Sequence, residues 1–236
     1  MSSAALRARL EQAHRILFME GLAVDSSRGH ISARDEHGLI YIKPWGIGFE
    51  KVTARDFQKV DLDGNLRGGR GKMHSERVMH LEIFRQRKDV QSVIHVHPHY
   101  SIILSSVFKG RISLITQHSV LFAGKIPFYP KAALIQTKED ALDLAKTIGD
   151  KPLVLMKNHG FVAVGRSIEE AVFTALHFEH AAREHLEANL YGKPSGMSVA
   201  EAKKVAANNY TPQQLQMLWT YYREKLQRGG AFQSRG

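Results

Sequence analysis

A short apolar run that carries two histidines constrains the fold of this chain more than any other stretch. The run reads VIHVHP over residues 93–98, and its alternating apolar and imidazole side chains indicate a β-strand. Because successive side chains of a strand point to opposite faces, His95 and His97 are predicted to share one face. Pro98 has no amide hydrogen to donate to a sheet, so we expect the strand to end there. Two imidazoles at a strand end predict half of a metal site, the alternative being two histidines hydrogen-bonded within a core.

The composition indicates a chain with a sizeable core and without disulfides. The 236 residues are 43% hydrophobic and include no cysteine, so a metal site would have to use His, Asp or Glu. The lack of cysteine fits a reducing cytosol, and the charged N-terminal segment lacks the apolar stretch of a signal peptide. No apolar run approaches the roughly 18 residues of a membrane span. We therefore expect a cytoplasmic protein with one domain over residues 1–236, in which residues 197–236 form a C-terminal helical tail.

The net charge of +10 has two interpretations. A basic surface can bind nucleic acid, or it can attract an anionic small molecule into a pocket. The lysines and arginines are spread along the chain, and the sequence carries no helix-turn-helix, zinc-finger or RNA-recognition motif. We therefore predict a small anionic substrate, with no nucleic-acid partner.

Hydrophobic periodicity and helix-capping signals predict alternating helices and strands. Apolar residues at helical spacing predict helices, and short apolar runs bounded by turn residues predict strands. The predicted helices cover residues 3–20, 75–88 and 100–108, and Ser or Thr residues open four more helices at 137, 167, 198 and 211. The predicted strands cover residues 31–34, 39–42, 60–62, 93–97, 153–156 and 161–164. This order predicts a mixed α/β sheet with helices packed on it.

Two further residues could complete a metal site. His159 lies in a turn between two apolar strands, where a side chain projects from a sheet edge. A third imidazole there would leave an open fourth position, as catalytic metals have, although a turn histidine can also simply face water. Glu76 lies where a helix is predicted to begin. Its carboxylate could bind a metal or move protons, or it could only complement the helix dipole.

Four segments together resemble the class II aldolase/adducin family. They read GHIS at 29–32, HSE at 74–76, HVH at 95–97 and NHG at 158–160, and the resemblance extends over about residues 8–190. It implies a class II aldolase-like α/β/α sandwich with a mostly antiparallel central sheet. It also implies a homotetramer with active sites at subunit interfaces. In each subunit, one divalent metal would be held by His95, His97 and His159, with Glu76 as the catalytic carboxylate.

The segments that bind phosphate in sugar-phosphate members of this family differ here. His30, Trp45 and His74 stand where those members have an Asn, a small hydroxyl residue and a Ser. Imidazole pairs with carboxylates and indole stacks on rings, so these positions favour a flat, anionic, aromatic substrate. Ser75 and His99 are further candidates for substrate contacts, and for Trp45 simple loop packing is the alternative.

The first two segments resemble those of family members that decarboxylate hydroxylated aromatic or pyridine dicarboxylates. The resemblance therefore implies a lyase of this kind in aromatic-compound catabolism. A divalent cation (Zn²⁺ or Mn²⁺, with Fe²⁺ or Co²⁺ also compatible) would act as the Lewis acid. The proton donor could be Glu76, His74 or His99. An aldolase or epimerase acting on a sugar, a sugar phosphate or another hydroxy-carbonyl substrate is the alternative. A non-enzymatic adducin-like scaffold is a remote alternative because all three metal histidines are present.

Overall fold

An eight-stranded sheet forms the centre of the molecule. The computed structural model describes residues 1–23, 25 and 27–233, with side chains through residue 229. In space the strands follow the order β4-β3-β2-β1-β5-β8-β7-β6, and every neighbouring pair is antiparallel except the parallel pair of β6 and β7. The strands are β1 (His30–Arg34), β2 (Ile40–Ile42), β3 (Gln58–Val60), β4 (Leu66–Gly68), β5 (Ser92–Val96), β6 (Phe128–Tyr129), β7 (Leu153–Met156) and β8 (Gly160–Gly165).

Seven α-helices are present in the described part of the chain, together with a 3₁₀ helix at Ser119–Phe122. The predicted caps at Thr137, Ser167 and Ser198 are confirmed, because each hydroxyl accepts a hydrogen bond from the amide three residues later. None of these helices combines the length and the apolar character that crossing a membrane requires. The α-helices are α1 (Ser3–Met19), α2 (Arg77–Gln86), α3 (His99–Val107), α4 (Lys138–Ile148), α5 (Ile168–Tyr191), α6 (Val199–Asn209) and α7 (Pro212–Gln233).

The two faces of the sheet are covered by different helices. Ile94 and Val96 of β5 belong to a core that includes residues of α1, α3, α5 and α7. Val93 belongs to a second core, on the side of α2 and α4. His95 shares the face of Val93 because side chains alternate along the strand. The predicted α/β/α sandwich with a mostly antiparallel sheet is therefore confirmed, and His95 faces α2.

The edge strands differ from the sequence-based predictions. The strand predicted over residues 60–62 is wrong in its position, since β3 ends at Val60. Asp61 instead begins a turn, in which its carboxylate accepts hydrogen bonds from the amides of Asp63 and Asn65. β4 and β6 have three and two residues, which is too few for a periodic pattern to indicate them.

The segment after α5 consists of two helices that pack on different parts of the molecule. Ala202 of α6 packs with Leu114 and Val120 in a small cluster of its own. Trp219 of α7 is fully buried in the core beside α1 and α5. Residues 234–236 of the predicted tail lie outside the described residues.

Candidate metal centre

Four side chains from three separate segments converge near the end of β5. Each offers one ligand atom, and these atoms all lie within 4.8 Å of one another. They come from the residue before α2, from the end of β5 and from the turn between β7 and β8, and are Glu76, His95, His97 and His159. The structure thus brings together the four residues for which the sequence predicts a shared site.

The Nδ1 atoms of His95 and His97 both donate hydrogen bonds to the protein. Nδ1–H of His95 donates to the carbonyl oxygen of Phe161 at 3.0 Å, and Nδ1–H of His97 donates to Oδ2 of Asp25 at 2.5 Å. Carbonyl and carboxylate oxygens can only accept, so a neutral ring keeps a lone pair on each Nε2 atom. The two Nε2 atoms lie 2.9 Å apart. Two lone pairs at this distance repel each other unless a cation is shared between them, so the pair fits a bound metal.

His159 reaches the cluster because its turn is held tightly against β5. Gly160 has a φ of +141°, and a Cβ atom there would lie 2.3 Å from the carbonyl oxygen of Val96, so only glycine permits this approach. The amide of Asn158 donates to Oγ of Ser105 on α3 at 2.8 Å. Nε2 of His159 consequently lies 4.0 Å from Oε1 of Glu76.

Burial sets the protonation states at the centre. It lowers the pKa of His95 well below its usual value, and it lowers the pKa of His159 to about 4. Both imidazoles are therefore neutral and able to bind a metal at neutral pH. Burial also raises the pKa of the Glu76 carboxyl, against a hydrogen bond from the amide of Ile135. Neutral imidazoles beside a carboxylate form a donor set that suits a divalent cation.

A second group of side chains adjoins the first. His30, His74 and Glu76 also place ligand atoms within 4.8 Å of one another, and His30 is the cross-strand partner of His95. Nε2–H of His74 donates to the carbonyl oxygen of Arg28 at 2.9 Å, and its Nδ1 atom accepts from the Glu76 amide at 3.4 Å. Ser75, which lies between His74 and Glu76 in the sequence, is exposed.

Besides Ser75, two of the predicted substrate contacts lie outside both groups. The indole of Trp45 is 54% exposed, with Nζ of Lys72 4.9 Å from its ring centroid, and it lines an open cleft that includes Arg55 and Arg70. His99 is exposed at the start of α3 and packs its ring edge-on against Tyr100. Their roles in substrate binding stay predictions.

Three polar residues near the centre were not predicted from the sequence: His80 and Lys43, which are fully buried, and Asp25, which is partly buried. Asp25 holds His97, and His80 of α2 contacts His30. Lys43 is fully buried and donates to the carbonyl oxygens of Ser27 and Ile47, which fixes the loops on either side of it. Burial lowers the pKa of Lys43 to about 8. The sequence signal for Lys43 and His80 is a polar residue within an otherwise apolar segment. It does not indicate which residue each one contacts, because that depends on how the segments pack.

The family follows from a match across most of the chain. Residues 8–186 match the family model described as the Class II Aldolase and Adducin N-terminal domain. The chain belongs to the class II aldolase and adducin family. This membership confirms the resemblance that the four short segments indicated.

Individual relatives agree with that membership. The 3,4-dihydroxyphthalate decarboxylase of Arthrobacter keyseri is 31% identical over 189 residues, which cover 75% of this chain and 75% of the relative. The L-fuculose phosphate aldolase of Methanocaldococcus jannaschii is 36% identical over 152 residues, covering 63% of this chain and 78% of the relative. The crystal structure of an aldolase II superfamily protein from Pseudomonas syringae superposes with a TM-score of 0.86 at 25% identity, covering 98% of this chain and 96% of that one.

Proposed function

We propose that this chain is a metal-dependent decarboxylase of a hydroxylated aromatic or pyridine dicarboxylate in aromatic-compound catabolism. The chain is a lyase, because the decarboxylases and aldolases among its relatives share that reaction class. One observation carries the proposal: His30 and His74 adjoin the candidate metal centre, so imidazoles border the place where a substrate would meet the metal. Similarity to a dihydroxyphthalate decarboxylase over three quarters of the chain supports the same substrate class.

The residues of the centre would hold one divalent cation per subunit. His95, His97 and His159 are the proposed ligands, and Glu76 is either the fourth ligand or the carrier of a proton. When bound, the cation supplies Lewis-acid stabilisation of negative charge on a substrate oxygen. Nitrogen and oxygen donors suit Zn²⁺ or Mn²⁺, and also Fe²⁺ or Co²⁺.

The protein's own groups would bind the dicarboxylate and move one proton. The basic charge of the chain attracts the anion, and His30 meets it on the side of the metal centre next to Glu76. Glu76 is ionised before the reaction, and because burial raises its pKa this carboxylate can take up a proton during the reaction and deliver it to the ring carbon that bears the leaving carboxylate. The bond between that carbon and the carboxylate then breaks, carbon dioxide leaves, and the electron pair restores the aromatic ring.

An aldolase or epimerase acting on a sugar phosphate is the second candidate. The similarity to the fuculose phosphate aldolase of Methanocaldococcus jannaschii, at 36% identity, favours it. An adducin-like scaffold without activity is a remote third candidate, because the metal-ligand set is complete in the sequence. With the first candidate we also propose a cytoplasmic homotetramer with active sites at subunit interfaces, and a single domain over residues 1–236.

A comparison of reaction products distinguishes these candidates. Protein reconstituted with Zn²⁺ or Mn²⁺ is incubated with 3,4-dihydroxyphthalate and hydroxypyridine dicarboxylates, and in parallel with L-fuculose 1-phosphate. We expect carbon dioxide from a dicarboxylate and no aldehyde from the sugar phosphate. His97→Ala should abolish the release, whereas His37→Ala, which removes an exposed histidine, should leave it unchanged. Aldehyde release without carbon dioxide would contradict the proposal in favour of the aldolase.

A further inference from the structure

We propose that Ser32 and His80 form a buried hydrogen-bonded relay that fixes the orientation of His30. In this orientation His30 directs Nε2–H towards Glu76 and the candidate metal centre, and donates it to a carboxylate oxygen of the substrate bound there. The identity of that acceptor rests on the proposed function, whereas the relay itself does not. His30 is thus the residue that touches the substrate, and Ser32 and His80 are positioning residues.

The relay consists of two short contacts between fully buried side chains. Nδ1 of His80 lies 2.6 Å from Oγ of Ser32, and Nε2 of His80 lies 2.7 Å from Nδ1 of His30. All three residues are 0% exposed, so solvent does not compete for these contacts. Burial lowers the pKa of His80 to about 3, so its ring carries a single N–H at neutral pH. Each contact therefore uses one hydrogen, and the hydrogens must all point the same way along the relay.

The carboxylate of Glu76 selects the direction of the relay. In one direction the Ser32 hydroxyl donates to His80, His80 donates to Nδ1 of His30, and His30 keeps its hydrogen on Nε2. The opposite direction would leave a lone pair on Nε2 of His30, only 4.0 Å from Oε2 of Glu76. A lone pair facing a carboxylate is repelled, whereas an N–H is attracted. The first direction is therefore favoured.

The hydrogen on Nε2 of His30 has no acceptor within hydrogen-bonding distance among the described residues. The Nε2 atom is fully buried and unpaired, which is costly unless a ligand supplies the acceptor. His74, the other imidazole of the group, has both ring nitrogens engaged, one with the Arg28 carbonyl and one with the Glu76 amide. Of these two histidines, only His30 has an N–H left for a ligand. A single buried donor suits an anionic oxygen such as a carboxylate.

The first test measures the tautomer of His30 directly and needs no activity. Long-range ¹H–¹⁵N correlation spectra of zinc-loaded, ¹⁵N-histidine-labelled protein report which ring nitrogen is protonated, and the His30 signals are assigned by their loss in His30→Gln. We expect hydrogen on Nε2 in the wild type, and a mixture of both tautomers in His80→Leu and in the milder variant Ser32→Ala. Thr174→Ala, which removes a buried hydroxyl of α5 that donates to the carbonyl oxygen of Glu170 and contacts no relay residue, should leave the signals unchanged. Hydrogen on Nδ1 in the wild type would overturn the relay.

The second test measures the hydrogen bond to the ligand. Phthalate, which lacks the ring hydroxyl, serves as a non-reacting probe in calorimetric titrations of the zinc-loaded protein. Ser32→Ala and His80→Leu should weaken phthalate binding about tenfold, because one bond to a charged oxygen loses its alignment. His80→Gln should recover most of this loss, since its amide can donate to His30. Thr174→Ala should bind phthalate as the wild type does.

The two tests fail in different ways. Equal phthalate affinity in the wild type, Ser32→Ala and His80→Leu would overturn the positioning role. A wild-type protein that shows the expected tautomer but binds no phthalate would overturn the carboxylate as the acceptor. That second result would also count against the proposed substrate class, while the relay itself would stand on the spectra.

Discussion

At the level of single residues, the candidate centre depends on a carboxylate outside the ligand set. Oδ2 of Asp25 accepts the Nδ1–H of His97, which fixes the ring and leaves Nε2 free for a cation. Burial alone would raise the pKa of Asp25, but the hydrogen bond from His97 lowers it on balance. The negative charge of this ionised carboxylate makes the imidazole a stronger ligand.

Replacing Asp25 should weaken metal binding without dismantling the site. In Asp25→Asn the amide oxygen can still accept from His97, but the negative charge is lost. We expect the affinity for Zn²⁺ to fall about 10- to 100-fold, measured by competition with a chromogenic chelator. Asp63→Asn, which alters an exposed carboxylate near Arg85, should bind as the wild type does. An unchanged affinity for Zn²⁺ in Asp25→Asn would show that the negative charge of Asp25 does not strengthen metal binding by His97.

His14 is a buried histidine that affects stability and lies outside the candidate centre. Its ring packs against Phe49 and Phe57 at centroid distances of 4.6 and 5.5 Å, and its Nδ1–H donates to the carbonyl oxygen of Leu10. Burial lowers its pKa from 6.5 to about 3. Below pH 6.5, His14 therefore binds a proton in the unfolded chain but stays neutral in the folded chain. This difference lowers stability progressively until the pH approaches 3.

Substituting His14 should flatten the dependence of stability on pH. His14→Leu removes this group, so the free energy of unfolding should fall less steeply between pH 6.5 and 4, by about 1.4 kcal/mol per pH unit. Urea unfolding of the metal-free protein at several pH values gives this slope. His37→Leu, at an exposed histidine, serves as the control and should keep the wild-type slope. If the free energy of unfolding fell with the same slope in His14→Leu and in the wild type, the low pKa of His14 would be contradicted.

At the level of elements, α5 and α6 both begin with a serine cap, but they are buried to different extents. Oγ of Ser167 accepts from the Glu170 amide at the start of α5, and Oγ of Ser198 accepts from the Glu201 amide at the start of α6. α5 contributes ten buried residues, whereas α6 contributes only Ala202. Loss of this hydrogen bond should therefore lower the free energy of global unfolding when it occurs in α5. In α6 it should only increase local opening of the helix.

Hydrogen exchange can separate these two effects. Ser167→Ala should lower the free energy of global unfolding by about 1 kcal/mol. Ser198→Ala should speed amide exchange within residues 199–209 by about fivefold and leave global unfolding nearly unchanged. The expectation fails if Ser198→Ala lowers global stability as much as Ser167→Ala does.

Elements with a strong local signal could be predicted from sequence, whereas contacts between elements could not. The alternation around His95 indicates β5, and capping residues indicate the starts of α4, α5 and α6, because these signals are local. β4 and β6 are edge strands too short to show a period. The contacts of Asp25 with His97 and of Ser32 with His80 depend on how a loop and α2 pack on the sheet. The four site segments could be predicted because their order resembles a family, and not because their spacing implies proximity.

At the level of the whole molecule, the candidate centre links distant parts of the chain. The residue before α2, the end of β5 and the β7–β8 turn contribute its side chains, and the loop that holds Asp25 supports them. A bound cation would therefore join a helix, several strands and a loop in the folded state only. Metal binding should consequently add to global stability through mass action.

Thermal unfolding tests this linkage. At a free Zn²⁺ concentration of about 100 times Kd, the folded state should gain about 2.7 kcal/mol, or roughly 5–10 °C in Tm. A chelator should reverse the gain. His97→Ala should fold but show no zinc-dependent change in Tm, whereas His37→Ala should respond as the wild type does. A zinc-dependent rise in Tm of the same size in His97→Ala would place the ion elsewhere.

The central claim is that a divalent cation bound by His95, His97 and His159 is required for the release of carbon dioxide from a hydroxyaromatic dicarboxylate. The most direct measurement follows metal content per chain and carbon dioxide release from 3,4-dihydroxyphthalate in the same samples during reconstitution with Zn²⁺ or Mn²⁺. We predict that release rises in proportion to occupancy and reaches its maximum at one ion per chain. Release from metal-free protein, or full occupancy without any release, would contradict the account.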